Sequence, residues 1–515
     1  MSLLINAKSG TNAWYLYIGS VLAYALIFWF WQVQAVPIAL YFTGVAIWAV
    51  AVLPVALWYR NGFQGLPMFE LICVAYGLSY GPPIYLVPNQ IAPMGQSVVL
   101  SSELMLKAAW SALLGLIMLI LGYNLLGFNF RYGGLPQLDM PLSAERRIYL
   151  VGLLLLIGLL GRFLGPYATE RFRAILHLLE CQFQVGIIIL AYQIFSNARA
   201  GLGLKILLVM SVCSWAILGI VGGTLEGVAV PITLVFMVRW HVRRRFPWAL
   251  AAVIPGIFLI LTPLKLEYRA RVWEGSEGRG GVISMLKVWW SVAEDSLAGQ
   301  RLGQEQHDSI SEVAARLDLL HKFAYVESQT PNEVPYFKGN SYSYLIYTFI
   351  PRVLWPNKPV ASAATDLVDF AYGLRSEQNT TTNIGIGQIA EAFANFGWYG
   401  ILGVMILQGL FLRSVNQVLN GPQSDGGRAI YVAIAVLFLN GVGTSAVVLF
   451  GSVIQLSLAS AVLMRPFALC FSTASLEARL SRQARRNAKV ELRSRRERGV
   501  AERPAVAPSS EKPPV

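Results

Sequence analysis

Four polar residues, Arg173, His177, Glu180 and Gln184, follow one another at spacings of four, three and four inside an otherwise apolar stretch. That spacing predicts one face of a helix. Gln388, Glu391 and Asn395 repeat the pattern within "NIGIGQIAEAFANFGWYG", and Glu226 lies near another predicted helix end. Ionisable groups in an apolar span point to a partner or a wet cavity. A carboxylate or imidazole placed there can orient or deprotonate a hydroxyl. An interhelical hydrogen-bond ladder explains the same stripes without chemistry. Arginines offer a second kind of chemistry. Arg269, Arg271, Arg279, Arg301, Arg316, Arg352 and Arg375 share one hydrophilic stretch, and Arg162, Arg171 and Arg173 stand together upstream of it. The guanidinium fork fits phosphate oxygens, and a diphosphate leaving group needs cations as its charge develops. Arg352 is the leading candidate, lying between Pro351 and Trp355 with Lys358 close by.

The elements that must position these residues are membrane helices. The chain has 515 residues, 55% apolar and 13% charged, and no charged residue occurs from 9 to 59. A soluble single domain is thereby excluded. Counting stretches of about 20 apolar residues predicts spans near 14–34, 37–58, 68–87, 108–127, 148–165, 174–195, 206–223, 225–238, 247–264, 395–412, 429–446 and 448–464. Twelve spans also sort the charge. Lys8, Arg60, Arg131, Arg146, Arg147, Arg199, Lys205, Arg239, Arg243 to Arg245, Arg413 and Arg428 then fall on one side, the cytoplasmic one, with both termini. The net charge of +13 fits anionic headgroups better than nucleic acid. The short loop at 166–173 breaks the rule with its arginines, either through local pairing with Glu170 or because an anionic ligand sits on the outer face.

The predicted fold class is therefore an all-α polytopic membrane protein of about 12 transmembrane helices with a large outward loop of short and amphipathic helices. Four regions follow. Residues 1–264 form an N-terminal bundle, 265–384 the outward loop, 385–470 the C-terminal helices and 471–515 a basic, proline-rich cytoplasmic tail. The loop carries half of the 28 acidic residues. Within it, Val282, Met285, Leu286, Trp289, Val292 and Ala293 recur at helical spacing, which predicts an interfacial amphipathic helix. A second helix is expected near 305–327. The segment "GNSYSYLIYTFIPRVLWPNKP" is too broken by proline to span and reads as a dip toward the bilayer that lines a cavity.

Several lookalikes carry no weight. "GIGQIA" satisfies a loose dinucleotide pattern without a preceding strand. Gly219, Gly223 and Gly227 are spaced for helix contact. The four cysteines lie too far apart for a disulfide framework or CxxC site, and four scattered histidines make no metal site. No HExxH, P-loop, GxSxG or DxD pair is present, which argues against a nucleotide-sugar transferase.

At "FIPRVLWPNKP" followed by "TTNIGIGQIAEAFANFGWYGILGVMILQGL", with "RLDLLH" at Arg316 and "GNSY" at Gly339 upstream, the chain resembles the oligosaccharide repeat unit polymerases, the Wzy-type O-antigen polymerases of bacterial envelopes. The likeness covers mainly residues 316–412. It implies a multi-pass glycosyltransferase of the bacterial inner membrane that uses undecaprenyl-diphosphate-linked oligosaccharides, with no metal or other cofactor. Membrane lipids and a chain-length regulator protein are the further partners, and nucleic acid is not one. On this reading Glu391, Glu180 or His321 acts on the acceptor hydroxyl. Arg352, Lys358, Arg171, Arg173, Arg269 and Arg316 bind diphosphate. Tyr342, Tyr344, Trp355, Asn383, Gln388 and Asn395 meet the glycan. A related ligase and a flippase or exporter of the same lipid-linked glycan are the competing expectations.

Overall fold

The computed structural model describes residues 2–32, 35–62, 65–129, 142, 146–165, 168–197, 200–243, 256, 261, 264–265, 267–269, 271–272, 282–297, 315–348, 350, 355, 357–359, 362–376, 384–420 and 425–467. In chain order the first helices are α1 (Ser2–Phe30), α2 (Ile38–Arg60), α3 (Met68–Tyr80) and the short α4 (Pro83–Leu86). A two-stranded antiparallel ribbon follows, β1 (Gln90–Ile91) with β2 (Val98–Val99), pairing Gln90 with Val99 and Ile91 with Val98. Then come α5 (Ser102–Asn129), α6 (Arg147–Leu164), α7 (Glu170–Ser196), α8 (Leu202–Val221) and α9 (Glu226–Arg243). The hydrophilic stretch contains α10 (Val282–Leu297), α11 (Leu320–Gln329), α12 (Asn340–Thr348) and α13 (Ala363–Ala371). The chain continues through α14 (Gln388–Leu419), α15 (Asp425–Asn440) and α16 (Ala446–Met464).

Among the described residues, eight helices are long and apolar enough to cross a membrane: α1, α2, α5, α6, α7, α8, α14 and α16. The protein is all-α in character and membrane-embedded. Three other predicted spans coincide with α3, α9 and α15. The 13 residues of α3 and 16 of α15 fall short of the ~20 that cross hydrocarbon unaided. The predicted span at 247–264 lies mostly outside the described residues, as do Arg279, Arg301 and the tail from residue 468.

Lipid is the solvent these helices require. On α1, Tyr15, Leu16, Leu22, Leu26 and Phe30 are all exposed, and such a large apolar surface is not tolerated in water. Between helices, close packing replaces the hydrophobic drive that lipid removes. Helices α5 and α14 run side by side with glycine at the contact. A Cβ added to Gly122 would lie 2.2 Å from the Ile406 carbonyl, and one on Gly409 would lie 2.3 Å from that of Leu119. The same device joins α6 to α7, where a Cβ on Gly161 would meet the Leu176 carbonyl at 2.5 Å. Of the three glycines spaced for helix contact, Gly219 and Gly227 do meet, but across a hairpin between α8 and α9. Gly223 makes the turn between them, with φ at +64°.

Helix α10 forms where the apolar repeat predicts it. Val288, Trp289 and Val292 pack on Tyr268, while Ile283, Leu286 and Trp290 remain exposed. The helix predicted near 305–327 is seen at Leu320–Gln329, preceded by helical residues at 315–317.

Candidate functional site

Helix α14 is two helices joined at Gly397, where φ of 62° and ψ of −146° break the ladder. Only glycine adopts that conformation readily. The break separates a short polar segment, 388–396, from the apolar span that follows. This segment holds three predicted site residues, and all are buried: Gln388, Glu391 and Asn395.

Every polar atom of the Glu391 carboxylate is answered. Oε1 accepts from Ser341 Oγ at 2.8 Å, and Oε2 accepts from the Ala446 N–H at 2.7 Å, the first residue of α16. Carboxylate at a helix N-terminus is a favourable placement. Asn395 Nδ2 donates to Ser341 Oγ at 2.8 Å, and its Oδ1 accepts from the Gly339 N–H at 2.9 Å. Gln388 Nε2 donates to the carbonyls of Gly441 and Thr444 at 2.6 and 2.8 Å, while its Oε1 accepts from the Tyr76 hydroxyl. Together these side chains latch α12, α14 and α16 to one another and to α3. Tyr342 also lies by the latch. Burial, and then the neighbouring Glu391 charge, push its phenol well above the usual range.

A second cluster begins one loop away. Leu319 donates its N–H to the Ser79 carbonyl at 3.1 Å, which seats the start of α11 against the end of α3. His321, 1% exposed, has Nδ1 2.9 Å from Asp318 Oδ2 and Nε2 3.3 Å from Asn89 Oδ1. Because an amide oxygen only accepts, Nε2 carries the N–H that meets Asn89, while Nδ1 faces the Asp318 carboxylate without a hydrogen bond. Lys322 reaches the Gly385 carbonyl at 3.4 Å, and burial holds its ammonium below the ordinary lysine range. Asp369, on α13, accepts from the Ile384 N–H at 2.9 Å through Oδ2, whereas its buried Oδ1 has no hydrogen-bond partner. Burial lifts this carboxyl to about 6, against the pull of the Ile384 amide and of Arg375. Arg375 in turn pairs with Asp366 and covers the Phe370 ring at 4.8 Å.

A third cluster is made of arginines and adjoins the second through Arg316, two residues before Asp318. Arg316 and burial together hold the Arg269 guanidinium below its ordinary range, burial being the larger cause. Arg269 Nε donates to the Gly223 carbonyl at 3.0 Å. Arg162 arrives at the same turn, its Nη2 3.4 Å from the Leu218 carbonyl, and its Nη1 pairs with Glu180 at 2.9 Å. His177 lies 3.4 Å from the other Glu180 oxygen. The stripe predicted on α7 is therefore real, but the arginine that answers Glu180 comes from α6, and Arg173 is exposed.

Other expected site residues are placed elsewhere or not described. Lys358 donates to the Tyr347 and Ile350 carbonyls at 3.1 and 2.5 Å, closing the end of α12. Tyr344, Tyr347 and Trp355 form a run of edge-on aromatic contacts at 5.8 and 5.7 Å. Arg352, Asn383 and the side chains of Arg171 and Glu226 lie outside the described residues. Asp318, Lys322, Asp369 and Ser341 are not marked by any catalytic sequence motif. The one available signal was the spacing of Asp318, His321 and Lys322, which puts them on one face of a helix start.

These features define a membrane-embedded helical protein with a polar layer at one end of its bundle. Over residues 147–453 the chain matches the family described as Domain of unknown function (DUF8712), and it belongs to that family. The matched region contains the arginine cluster, the Asp318–His321 pair and the Glu391 latch, and begins after α5. Neither the curated proteins nor the solved structures include a match to this chain.

Proposed function

We propose that this protein is a membrane glycosyltransferase that polymerises undecaprenyl-diphosphate-linked oligosaccharide repeat units at the outer face of the bacterial inner membrane. The observation that carries the reading is the meeting of Arg162 and Arg269 at the turn between α8 and α9, with Arg316 in electrostatic reach of Arg269 and two residues before the buried Asp318–His321 pair. These supply cations for a diphosphate and an imidazole for a hydroxyl, and Arg316, Asp318 and His321 lie in the stretch that resembles the repeat unit polymerases.

In the reaction, a hydroxyl oxygen of the next lipid-linked unit attacks the anomeric carbon of the growing chain. The new glycosidic C–O bond forms as the bond from that carbon to the diphosphate oxygen breaks, and the electron pair leaves with undecaprenyl diphosphate. Arg269 and Arg316 oppose the developing charge, and Glu180 holds Arg162 beside them. The hydroxyl proton passes to His321 Nε2 once Asn89 gives way and the imidazole proton sits on Nδ1, facing the Asp318 carboxylate. His321 is buried, so the acceptor reaches it by displacing Asn89. The aromatic run of Tyr344, Tyr347 and Trp355 suits a sugar face, and Arg352 and Lys358 keep their diphosphate roles only through the resemblance. The topology that goes with this reading has about twelve spans, region 265–384 outside with α10 on the interface, and both termini in the cytoplasm. Membrane lipids and a chain-length regulator are its expected partners.

The test is the surface polysaccharide of a deletion strain on a gel, complemented by wild type, Arg316→Gln and His321→Ala at matched membrane expression. A ladder with wild type, and a single unit still attached to its final carrier with either variant, supports polymerisation. Loss of all surface glycan, including the single unit, in the deletion strain favours a ligase or flippase.

A further inference from the structure

The opposite end of the bundle holds a second polar recess that glycan polymerisation leaves unused. Helix α6 runs from Arg147 at this end to Arg162 at the other, a separation of roughly 22 Å at ~1.5 Å per residue. Here the first turns of α6 and α15 meet the last turns of α7 and α9 around a cavity of about 260 Å³. Its polar lining is Arg147, Tyr192, Ser196, His241, Asp425 and Arg428.

Three features of the recess favour an anion. Two guanidiniums face one carboxylate, and that carboxylate is only partly available because Arg147 Nη2 already pairs with Asp425 at 2.9 Å. The buried Arg147 Nε–H has no hydrogen-bond partner, although the same side chain also reaches the Leu142 carbonyl at 3.3 Å. Two helix N-termini border the cavity, through Arg147 of α6 and Asp425 and Arg428 of α15, and their dipoles favour negative charge. Ile189 and Val242 form an apolar wall. A recess between membrane helices with a cationic rim and an apolar wall matches a phosphorylated headgroup attached to a hydrocarbon stem. Its volume lies just under the ~300 Å³ where small-molecule sites begin, so the headgroup is small.

We propose that this recess binds the phosphate of a small phosphorylated headgroup, gripped by Arg147 and Arg428, with an anionic phospholipid or a soluble phosphate ester as its source. The site stands apart from the polymerase reading, and its test measures lipid binding with no glycan present. The full-length protein is placed in bilayer discs of phosphatidylcholine with increasing phosphatidylglycerol, and lipid retained after detergent extraction is weighed by native mass spectrometry. Wild type is expected to retain phosphatidylglycerol over phosphatidylcholine by about tenfold or more. Arg428→Gln loses that preference, and Arg428→Lys, which keeps charge but not the fork, loses part of it. Arg465→Gln, on an exposed arginine beyond α16, keeps the preference.

Competition on wild type with inorganic phosphate and with glycerol 3-phosphate separates the sources. Displacement of the lipid by either compound assigns the site to soluble phosphate chemistry, and retention assigns it to the lipid. Equal retention of the two lipids by wild type, with no thermal stabilisation by either soluble compound, overturns the proposal. An equal loss in Arg465→Gln and Arg428→Gln overturns it as well. Since Arg428→Lys and the competition need no charge deletion, a poorly folded Arg428→Gln leaves the test decisive.

Discussion

Two neighbouring clusters at the same end of the bundle hold their charges in opposite ways. Around Glu391, each carboxylate oxygen meets a donor, and its partners Ser341 and Asn395 are themselves bonded. Around Asp318 and Asp369 an acceptor is left over: Asp369 Oδ1 is buried without a hydrogen-bond partner, and Arg316 adds to burial in lowering the Arg269 guanidinium nearby in the fold. A closed network fixes three helices, whereas an open one retains capacity for a ligand. Burial of an ionisable residue therefore does not by itself identify catalysis, and unanswered hydrogen-bonding capacity is the better guide.

The largest effect that would break this contrast is on stability. Glu391→Ala strands the Ala446 N–H and the Ser341 hydroxyl, and losing two hydrogen bonds to a buried charge costs about 3–5 kcal/mol. The thermal midpoint of the detergent-solubilised protein should fall sharply, and Glu391→Gln, which keeps one acceptor, should fall less. A Glu391→Ala protein with wild-type midpoint and no polymerisation would make Glu391 catalytic instead. On the open side, Arg316→Gln or Arg269→Gln should lower polymerisation by ~10²-fold or more, as for removal of one transition-state donor. Relief of the mutual repulsion should leave the midpoint unchanged or slightly higher.

A smaller effect is expected at Asp369. Its carboxyl titrates near 6 in the folded chain against about 3.9 unfolded, so between these values the folded state holds more protons. Stability should therefore fall as pH rises from 4 through 6. Asp369→Asn, which retains an acceptor for the Ile384 N–H, should flatten this portion of the midpoint-against-pH curve and raise the midpoint at neutral pH. The smallest change is Arg271→Ala, which removes pairs to Glu267 and Asp295 at 2.9 Å. These groups are partly exposed, so the loss should be about 1 kcal/mol or less.

Much of the frame was legible in the sequence. Long charge-free runs mark α1, α2, α5 and α8, because lipid admits little else. The 3.6-residue repeat marks α10, since one of its faces packs on Tyr268. The twelve-span count needs α3 and α15, yet neither reaches membrane length. Partners within the site were much less readable. Glu391 is answered by the backbone of Ala446, which has no side-chain signature, and Glu180 by Arg162 from the preceding helix. Tyr76 binds Gln408 across 332 residues, and no spacing rule reaches that far. Asp318 and Lys322 belong to no catalytic motif, and the contact that seats them, the Leu319 N–H on the Ser79 carbonyl of α3, is a backbone bond with no side-chain signature.

The central claim is most directly tested with purified full-length protein in bilayer discs, supplied with a single undecaprenyl-diphosphate-linked repeat unit. Polymer and released undecaprenyl diphosphate are measured together for wild type and Arg316→Gln. The account predicts that both products rise in step with wild type and fall ~10²-fold or more in the variant at an unchanged thermal midpoint. Polymer without diphosphate release, no product from the wild type, or an Arg316→Gln protein as active as wild type would contradict it.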